Sequence, residues 1–223
     1  RCGVKVELLG FTTRAPGDGM AVAIWSHGSS WTLTALPLFL WMGEILFRTK
    51  LSEDMFNGLS PWMDHLPGRL VHVNIVACTL FAAVSGSSAA TTATVGKITL
   101  PELLKRKYDR SLVFGSLAGA GTLGFLIPPS MMMLVYGILA DVSIGKLFIA
   151  GVVPGLVLAA GFSGFVFFRC LLNPNLAPAS DLAYTWSDRW KTIPQLLPVI
   201  SLIVMVLGSI YLGWATPTEA AAV

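Results

Sequence analysis

Two short segments of this sequence combine hydroxyl oxygens with residues that interrupt helices. Residues 85–96 read SGSSAATTATVG, and residues 121–130 read GTLGFLIPPS. Sodium is a hard cation that prefers oxygen ligands, and these segments offer neutral hydroxyl and carbonyl oxygens. A proline pair also releases carbonyls of the preceding turn, because proline has no amide hydrogen and clashes with that turn. The two segments therefore predict a sodium site.

The first segment also suits an anion. A helix that restarts after Ser87 and Ser88 presents free backbone amides at its N-terminus, where a carboxylate is favoured. We therefore expect this tip to lie near a bound substrate as well as near the cation. The candidate residues carry a side-chain oxygen or lie at a helix break: Ser85, Gly86, Ser87, Ser88, Thr92, Gly121, Thr122, Gly124, Pro128, Pro129 and Ser130.

Long apolar stretches must position these segments. The chain is 54% hydrophobic and 12% charged, whereas roughly 25% of residues are charged in an ordinary soluble domain. Each of five windows without Asp, Glu, Lys or Arg is long enough to cross a bilayer as a helix. They are residues 19–43, 70–96, 111–140, 147–168 and 192–218. The windows predict an all-α polytopic membrane protein in a lipid bilayer.

Basic residues between the windows predict the topology. Residues 97–110 carry five Lys or Arg against two acidic residues, so the positive-inside rule places this loop in the cytoplasm. The link at residues 141–146 then faces outward, and residues 169–191 face inward. Window 70–96 is either a full span or a re-entrant hairpin that turns at residues 85–88. We favour the hairpin, because glycine and serine at its centre break helices.

Interrupted helices at membrane depth indicate function, because lipid cannot satisfy free backbone groups. Such segments are tolerated only inside protein or beside a cavity, and in transporters they point to binding sites. Two structural interpretations stay open beside this one. Small residues in membrane helices often serve close packing, and a proline pair can simply kink a helix.

Six motifs, in order, resemble the large membrane subunit of TRAP transporters, the tripartite ATP-independent periplasmic systems. The resemblance runs from about residue 34 to residue 223. The matching segments are PLFLWMGE at 37–44, HLPGRLVHVNIVA at 65–77, SGSS at 85–88, IPPS at 127–130 with YG at 136–137, a series of short matches over 143–155, and TPTEA at 216–220.

The resemblance implies a fold and an activity. The fold is an inverted-repeat, elevator-type secondary transporter with a re-entrant helical hairpin and a broken helix. The activity is sodium-coupled symport of small organic acids, such as C4-dicarboxylate-like carboxylates, without ATP. The expected partners are a small membrane subunit and a periplasmic substrate-binding protein, and the expected location is the bacterial inner membrane. The sequence identifies neither the substrate nor the ion stoichiometry.

Four regions are expected along the chain. They are a polar N-terminal segment (1–18), a scaffold-type membrane helix with an amphipathic connection (19–69), a transport-domain hairpin with a cytoplasmic loop and a proline-broken helix (70–140), and further membrane helices with the start of a second repeat (141–223). We expect a fragment that covers about the first half of the family pattern. A start at Met20 would make residues 1–19 non-native. Thr218 is the candidate cap of a helix that begins near the TPTEA motif.

The same sequence features fit two other kinds of membrane protein. A passive channel or a structural membrane subunit would use the Gly, Ser and Pro segments for a pore or for packing. Another sodium-coupled carboxylate transporter would work without a binding protein. We expect no enzyme, because the three histidines and three cysteines have neither metal-ligand spacing nor a nucleophile motif. We also expect no cofactor or metal beyond sodium as the coupling ion, and no nucleic-acid partner.

Overall fold

The computed structural model describes residues 16–178 and 186–222. Most of the predicted polar segment 1–18 and part of the predicted inward-facing segment 169–191 lie outside these ranges. The described residues form α-helices joined by short turns, without a strand, in agreement with the all-α prediction. The helices are α1 (Pro16–Gly28), α2 (Ala35–Arg48), α3 (Leu51–Met63), α4 (Leu70–Ser85), α5 (Ser88–Lys105), α6 (Arg110–Gly121), α7 (Met131–Leu139), α8 (Ile144–Leu172), α9 (Trp186–Tyr211) and α10 (Pro217–Ala222).

Helix α4 lies at the centre of the fold. Thirteen of its 16 residues are buried, and it packs against α2, α3, α5, α6, α8 and α9. A helix that is apolar on all sides has to be surrounded by other elements. Buried side chains from α5 and α6, such as Leu103 and Val113, complete this core. A second apolar cluster joins α2, α7, α8, α9 and α10 around Phe39 and Phe148.

Helices α8 and α9 are long and apolar enough to cross a membrane. Only 22% of the most apolar 18-residue window of α8 is buried, and only 17% of that of α9. The core helix of a soluble protein would instead be mostly buried. Large apolar side chains such as Val153, Phe165 and Val204 are exposed. These faces have the composition expected of surfaces in contact with lipid or another membrane subunit.

The window at residues 19–43 is not a single helix, so this part of the sequence-based prediction was wrong. Helix α1 ends at Gly28, a short 3-10 turn occupies Trp31–Thr34, and α2 begins at Ala35. The Ser29 hydroxyl donates a hydrogen bond of 2.6 Å to the Trp25 carbonyl. Serine side chains that bond to nearby backbone compete with helix continuation. The apolar run therefore divides where Gly28, Ser29 and Ser30 follow one another.

The predicted cap at Thr218 was also wrong, because Thr216 caps α10. The Thr216 amide and hydroxyl each donate to Glu219 Oε2 at 2.8 Å. The Glu219 amide returns a bond of 3.4 Å to Thr216 Oγ1. This reciprocal arrangement is a capping box, with Pro217 at the first helical position, where proline is favoured.

Both basic loops lie at the same end of the molecule. The Asp109 amide donates to the Leu176 carbonyl at 3.1 Å, so the turn after α5 touches the turn after α8. Arg189, at the start of α9, donates to the Pro61 carbonyl at 3.2 Å. This arrangement is consistent with the prediction that both loops lie on the same side of the membrane. Their cytoplasmic location stays a prediction.

Candidate functional site

Helices α4 and α5 form a helical hairpin with its turn at Gly86 and Ser87. Gly86 has φ of 60°, a left-handed conformation that glycine adopts without a steric penalty. Its amide bonds to the Ala82 carbonyl at 3.0 Å and closes α4. Ser87 then caps α5, because its hydroxyl accepts a bond from the Ala90 amide at 3.4 Å. The turn lies within the predicted segment 85–88.

The hairpin returns to the end at which it begins. Tyr108, in the turn after α5, is buried in the same apolar cluster as Leu70, the first residue of α4, so the two ends of the hairpin meet. By its 16 residues α4 is about 24 Å long, and by its 18 residues α5 is about 27 Å long. Both lengths fall short of the roughly 30 Å hydrocarbon thickness of a bilayer. Re-entry into a membrane stays a prediction.

The second predicted segment is a broken helix. Helix α6 ends at Gly121, a 3-10 turn covers Thr122–Phe125, and α7 begins at Met131. The Pro128–Pro129 peptide bond is cis, and both prolines are buried. The Ser130 hydroxyl, also buried, donates to the Phe125 carbonyl at 2.7 Å. Among hydrogen bonds between described residues, none ends on the carbonyl oxygens of Pro128 or Pro129.

The two interruptions are in direct contact. The Gly86 carbonyl accepts a hydrogen bond of 3.2 Å from the Met131 amide. A Cβ atom on Gly86 would overlap the Pro129 carbonyl. On Gly124, a Cβ atom would lie 2.8 Å from the Ser88 amide nitrogen. Backbone therefore packs on backbone, which only residues without a side chain permit.

Hydroxyl groups surround this contact to different degrees. Ser85 Oγ lies 2.8 Å from Thr91 Oγ1, and both side chains are buried. The Thr92 hydroxyl donates to the Ser88 carbonyl at 2.8 Å, and its oxygen faces Gly121, where a Cβ would overlap it. The structure therefore places Ser85, Gly86, Ser87, Ser88 and Thr92 beside Gly121, Gly124, Pro128, Pro129 and Ser130.

Thr122 is the predicted residue with the weakest structural support. Its side chain is exposed, and its hydroxyl donates at 2.7 Å within its own turn, to the Gly119 carbonyl. Thr91, one of the hydroxyl residues that the first segment offers, is fully buried against Ser85. Gly43 of α2 also approaches the turn, since a Cβ there would lie 3.2 Å from the Ser85 Cα.

Opposite helix ends meet at this contact. The C-termini of α4 and α6, where carbonyl groups are free, carry partial negative charge. The N-termini of α5 and α7, where amide groups are free, carry partial positive charge. None of the predicted site residues is ionisable. Within residues 16–178 and 186–222, no three His, Cys, Asp or Glu side chains are grouped to hold a metal ion. Neutral oxygens and backbone dipoles therefore determine the electrostatics of the contact.

Two cavities lie away from the contact between the hairpin turn and the broken helix. An apolar pocket of about 460 Å³, lined in part by Phe162, Val166 and Arg169, lies between α4, α6 and α8. Close to it, the buried Asn74 donates to Ser116 Oγ at 3.4 Å, while its Oδ1 atom is unpaired. A polar cleft of about 940 Å³ lies between α3 and α5.

Comparison with known proteins identifies the family. A family model described as "Tripartite ATP-independent periplasmic transporter, DctM component" matches residues 1–223. The chain belongs to this family. The resemblance drawn from the six motifs is therefore confirmed, and the family is one of membrane-embedded transporter permeases rather than enzymes.

Several relatives of this DctM-family chain have curated functions. It is 38% identical over 205 residues to the C4-dicarboxylate TRAP transporter large permease protein DctM of Pseudomonas aeruginosa, covering 92% of this chain and 47% of that protein. It is 36% identical over 191 residues to the ectoine/5-hydroxyectoine TRAP transporter large permease protein UehC of Ruegeria pomeroyi, covering 86% and 44%. It is 32% identical over 196 residues to the sialic acid TRAP transporter large permease protein SiaM of Vibrio cholerae, covering 87% and 45%. The chain spans about half the length of these relatives.

Proposed function

We propose that this chain forms part of a permease that carries small organic acids into the cell together with sodium. It would act in the bacterial inner membrane with a small membrane subunit and a periplasmic substrate-binding protein. The observation that carries the proposal is the contact of the Gly86 turn with the Pro128–Pro129 break in a DctM-family chain. Such paired interruptions are the usual place of binding sites in secondary transporters.

Sodium would bind at the carbonyl side of this contact. The Pro129 carbonyl approaches Gly86 closely and, within the described residues, accepts no hydrogen bond. The hydroxyls of Ser85 and Thr91 face each other 2.8 Å apart and leave lone pairs for a ligand. A neutral set of oxygens suits a monovalent cation that must be released in each cycle. A divalent cation would require carboxylates to offset its charge.

The substrate acid group would bind at the amide side of the contact. The N-termini of α5 and α7 lie on the two segments that meet here, and both favour negative charge. The relatives are named for C4-dicarboxylates, ectoine and sialic acid, all of which carry a carboxylate. We therefore propose the acid group as the part of the substrate that this site recognises. The remainder of each molecule would be selected elsewhere.

The same packing supports an elevator-like mechanism as part of the proposal. Gly86, Gly124 and Gly121 join the hairpin to the broken helix by close backbone contact. Interfaces packed this closely do not deform continuously and move as one body. Residues 70–140 would form the moving unit, and the scaffold arm would be α3, which packs on α9.

The decisive experiment is uptake into proteoliposomes. They would contain the complete reading frame with its small-subunit neighbour, and a radiolabelled C4-dicarboxylate, ectoine or sialic acid would be added with the binding protein. Accumulation that needs both a sodium gradient and the binding protein is expected. Sodium-driven accumulation without the binding protein would indicate another type of carboxylate transporter. Passive equilibration under all conditions would indicate a channel and would contradict the proposal.

Serine variants test the site itself. Ser88→Ala removes a hydroxyl at the turn and should raise the sodium concentration needed for half-maximal uptake severalfold. Ser87→Ala should do the same, whereas Ser87→Thr keeps the oxygen and should restore uptake. Ser201→Ala is the matched control, because that hydroxyl is exposed on α9 and bonds only to the Pro198 carbonyl. Unchanged sodium dependence in both alanine variants would remove these serines from the site.

A further inference from the structure

A polar cleft of about 940 Å³ extends along α5 away from the hairpin turn. Thr94 lines its inner part, and Lys97 and Glu102 follow on the same helix. With a rise of 1.5 Å per residue, Thr94 lies about 9 Å from Ser88 along the axis, and Glu102 lies about 21 Å away. The cleft therefore leads from the vicinity of the candidate site to the end that carries both basic loops.

The opposite wall of the cleft comes from the α2–α3 connection and α3. Arg48, Lys50 and Glu53 line this wall, together with the neutral polar side chains of Asn57 and Ser60. Arg106 lines the outer end on the α5 side. The cleft thus separates the proposed moving unit from the proposed scaffold arm. Its width would change if the two moved.

Basic groups outnumber acidic ones in this cleft, and two of its lysines form no ion pair with any residue that the structure describes. Arg48 binds Glu44 at 2.8 Å, and Arg106 binds Glu102 at 2.7 Å. Lys50 and Lys97 have no acidic partner within 4.0 Å among the described residues. Glu53 is the remaining acidic residue of the lining. With both arginines paired, Lys50, Lys97 and Glu53 together leave one net positive charge. The low-dielectric walls focus the field of this charge into the cleft.

We infer that this cleft is an anion-attracting vestibule on the cytoplasmic side of the site, with Lys97 as its principal cation. Its occupant would be the small organic acid on its way between the site and the cytoplasm. This role rests on the proposed function, whereas the excess of positive charge does not. An unpaired lysine beside a water-filled path attracts a carboxylate without holding it tightly. The acid can therefore leave.

The cleft is tested with charged thiol reagents on the complete reading frame in inside-out bacterial membrane vesicles. All native cysteines, including Cys2, Cys78 and Cys170, are first replaced by alanine, and Asn57→Cys then places a thiol on the α3 wall. An anionic methanethiosulfonate reagent and a cationic one are compared by their labelling rates. Asn175→Cys is the matched control, since Asn175 is exposed on the turn after α8, at the same end but outside the cleft lining.

The anionic-to-cationic rate ratio at Asn57→Cys should exceed that at Asn175→Cys about threefold, and added salt should reduce the difference. Lys97→Gln should bring the ratio close to the control value, and Lys97→Arg should keep it high. Equal ratios at both thiols, or labelling only from the periplasmic side, would overturn the inference.

Transport gives a second readout. Lys97→Gln should slow sodium-dependent exchange of the acid from the cytoplasmic side severalfold, and Lys97→Arg should not. If the wild-type protein carries no organic acid, the proposed function fails while the labelling ratio still decides whether the cleft attracts anions. If the wild-type protein transports and the ratios are equal, only this inference fails.

Discussion

The Gly86 carbonyl and the Met131 amide form a hydrogen bond of 3.2 Å that joins the turn of the hairpin to the first residue of α7. Each partner lies at a point where its own helix is interrupted, so neither group has a partner within its helix. The bond satisfies both groups across two segments that are far apart in the sequence. It provides the central link of the candidate site.

Gly86→Ala should abolish uptake and lower the stability of the protein. A left-handed backbone costs a residue with a Cβ about 1–2 kcal/mol, and this Cβ would also overlap the Pro129 carbonyl. Thermal unfolding in detergent and sodium-dependent uptake would measure the two effects. Gly208→Ala is the control, because nothing lies within 4 Å of a Cβ at that position. Equal behaviour of the two variants would contradict the close contact at the turn.

Gly124→Ala should separate the broken helix from the hairpin. Its Cβ would lie 2.8 Å from the Ser88 nitrogen and 2.9 Å from the Ser87 carbonyl carbon. Overpacking of this kind costs about 1–3 kcal/mol, and backbone cannot give way as a flexible side chain can. Uptake should therefore fall by more than tenfold. Gly115→Ala on α6 has open space around its Cβ and should keep wild-type uptake.

Tyr108→Phe should weaken the closed base of the hairpin. The hydroxyl lies against the Leu70 backbone, and the loss of a buried polar contact of this kind costs about 1 kcal/mol. Thermal unfolding would measure the loss, with Tyr136→Phe as the control, because Tyr136 is 59% exposed. A Tyr108 variant as stable as the control would show that the Tyr108 hydroxyl does not stabilise the base of the hairpin.

Alkaline pH gives a second test of Tyr108. Burial raises the pKa of its hydroxyl above the ordinary 10.0. The unfolded chain therefore loses this proton first, and stability falls as pH rises above 10. Tyr108→Phe should show a smaller decline over this range than the wild-type protein.

Thr216→Ala should destabilise the start of α10, whereas Thr218→Ala should have little effect. Thr216 is the residue of the capping box, and loss of such a cap costs about 1 kcal/mol. Thermal stability of the two variants in detergent would distinguish the positions. A larger effect at Thr218 would return the cap to the position first expected from the sequence.

The same capping box should depend on pH through Glu219. Hydrogen bonds from the Thr216 amide and hydroxyl lower the pKa of this exposed carboxyl below 4.5. The stabilisation is therefore present above pH 4.5 and is lost as pH falls through the lowered pKa. The difference in unfolding temperature between wild type and Glu219→Gln should exist at neutral pH and disappear in acid.

Local chemistry explains what could be predicted from the sequence. The breaks at Gly86 and at Pro128–Pro129 follow from the backbone preferences of glycine and proline, which act within a few residues. The division of window 19–43 at Gly28, Ser29 and Ser30 lies inside a long run without charged residues, so the composition of the window concealed it. Thr216 and Thr218 are both possible caps by residue type. Only the three-residue spacing between Thr216 and Glu219, which a capping box requires, identifies Thr216.

Long-range packing explains what could not be predicted. The Thr91–Ser85 bond and the approach of Gly43 to the turn depend on how helices pack around α4. The cleft at Lys97 likewise exists only because α3 and α5 face each other across it. Periodicity and composition assign each helix a length and an apolar face. They do not specify which helix lies opposite a given lysine.

The order of synthesis gives the Gly86–Met131 bond a consequence for biogenesis. When the Gly86 turn leaves the ribosome, Met131 has not yet emerged, and in a re-entrant hairpin lipid would offer the Gly86 carbonyl no substitute partner. The turn would therefore remain hydrated, or be held by the insertion machinery, until α7 emerges. Re-entry of the hairpin into the bilayer, as predicted from the sequence, would wait for the segment that follows α6. A ribosome stalled before that segment should leave the turn accessible to water.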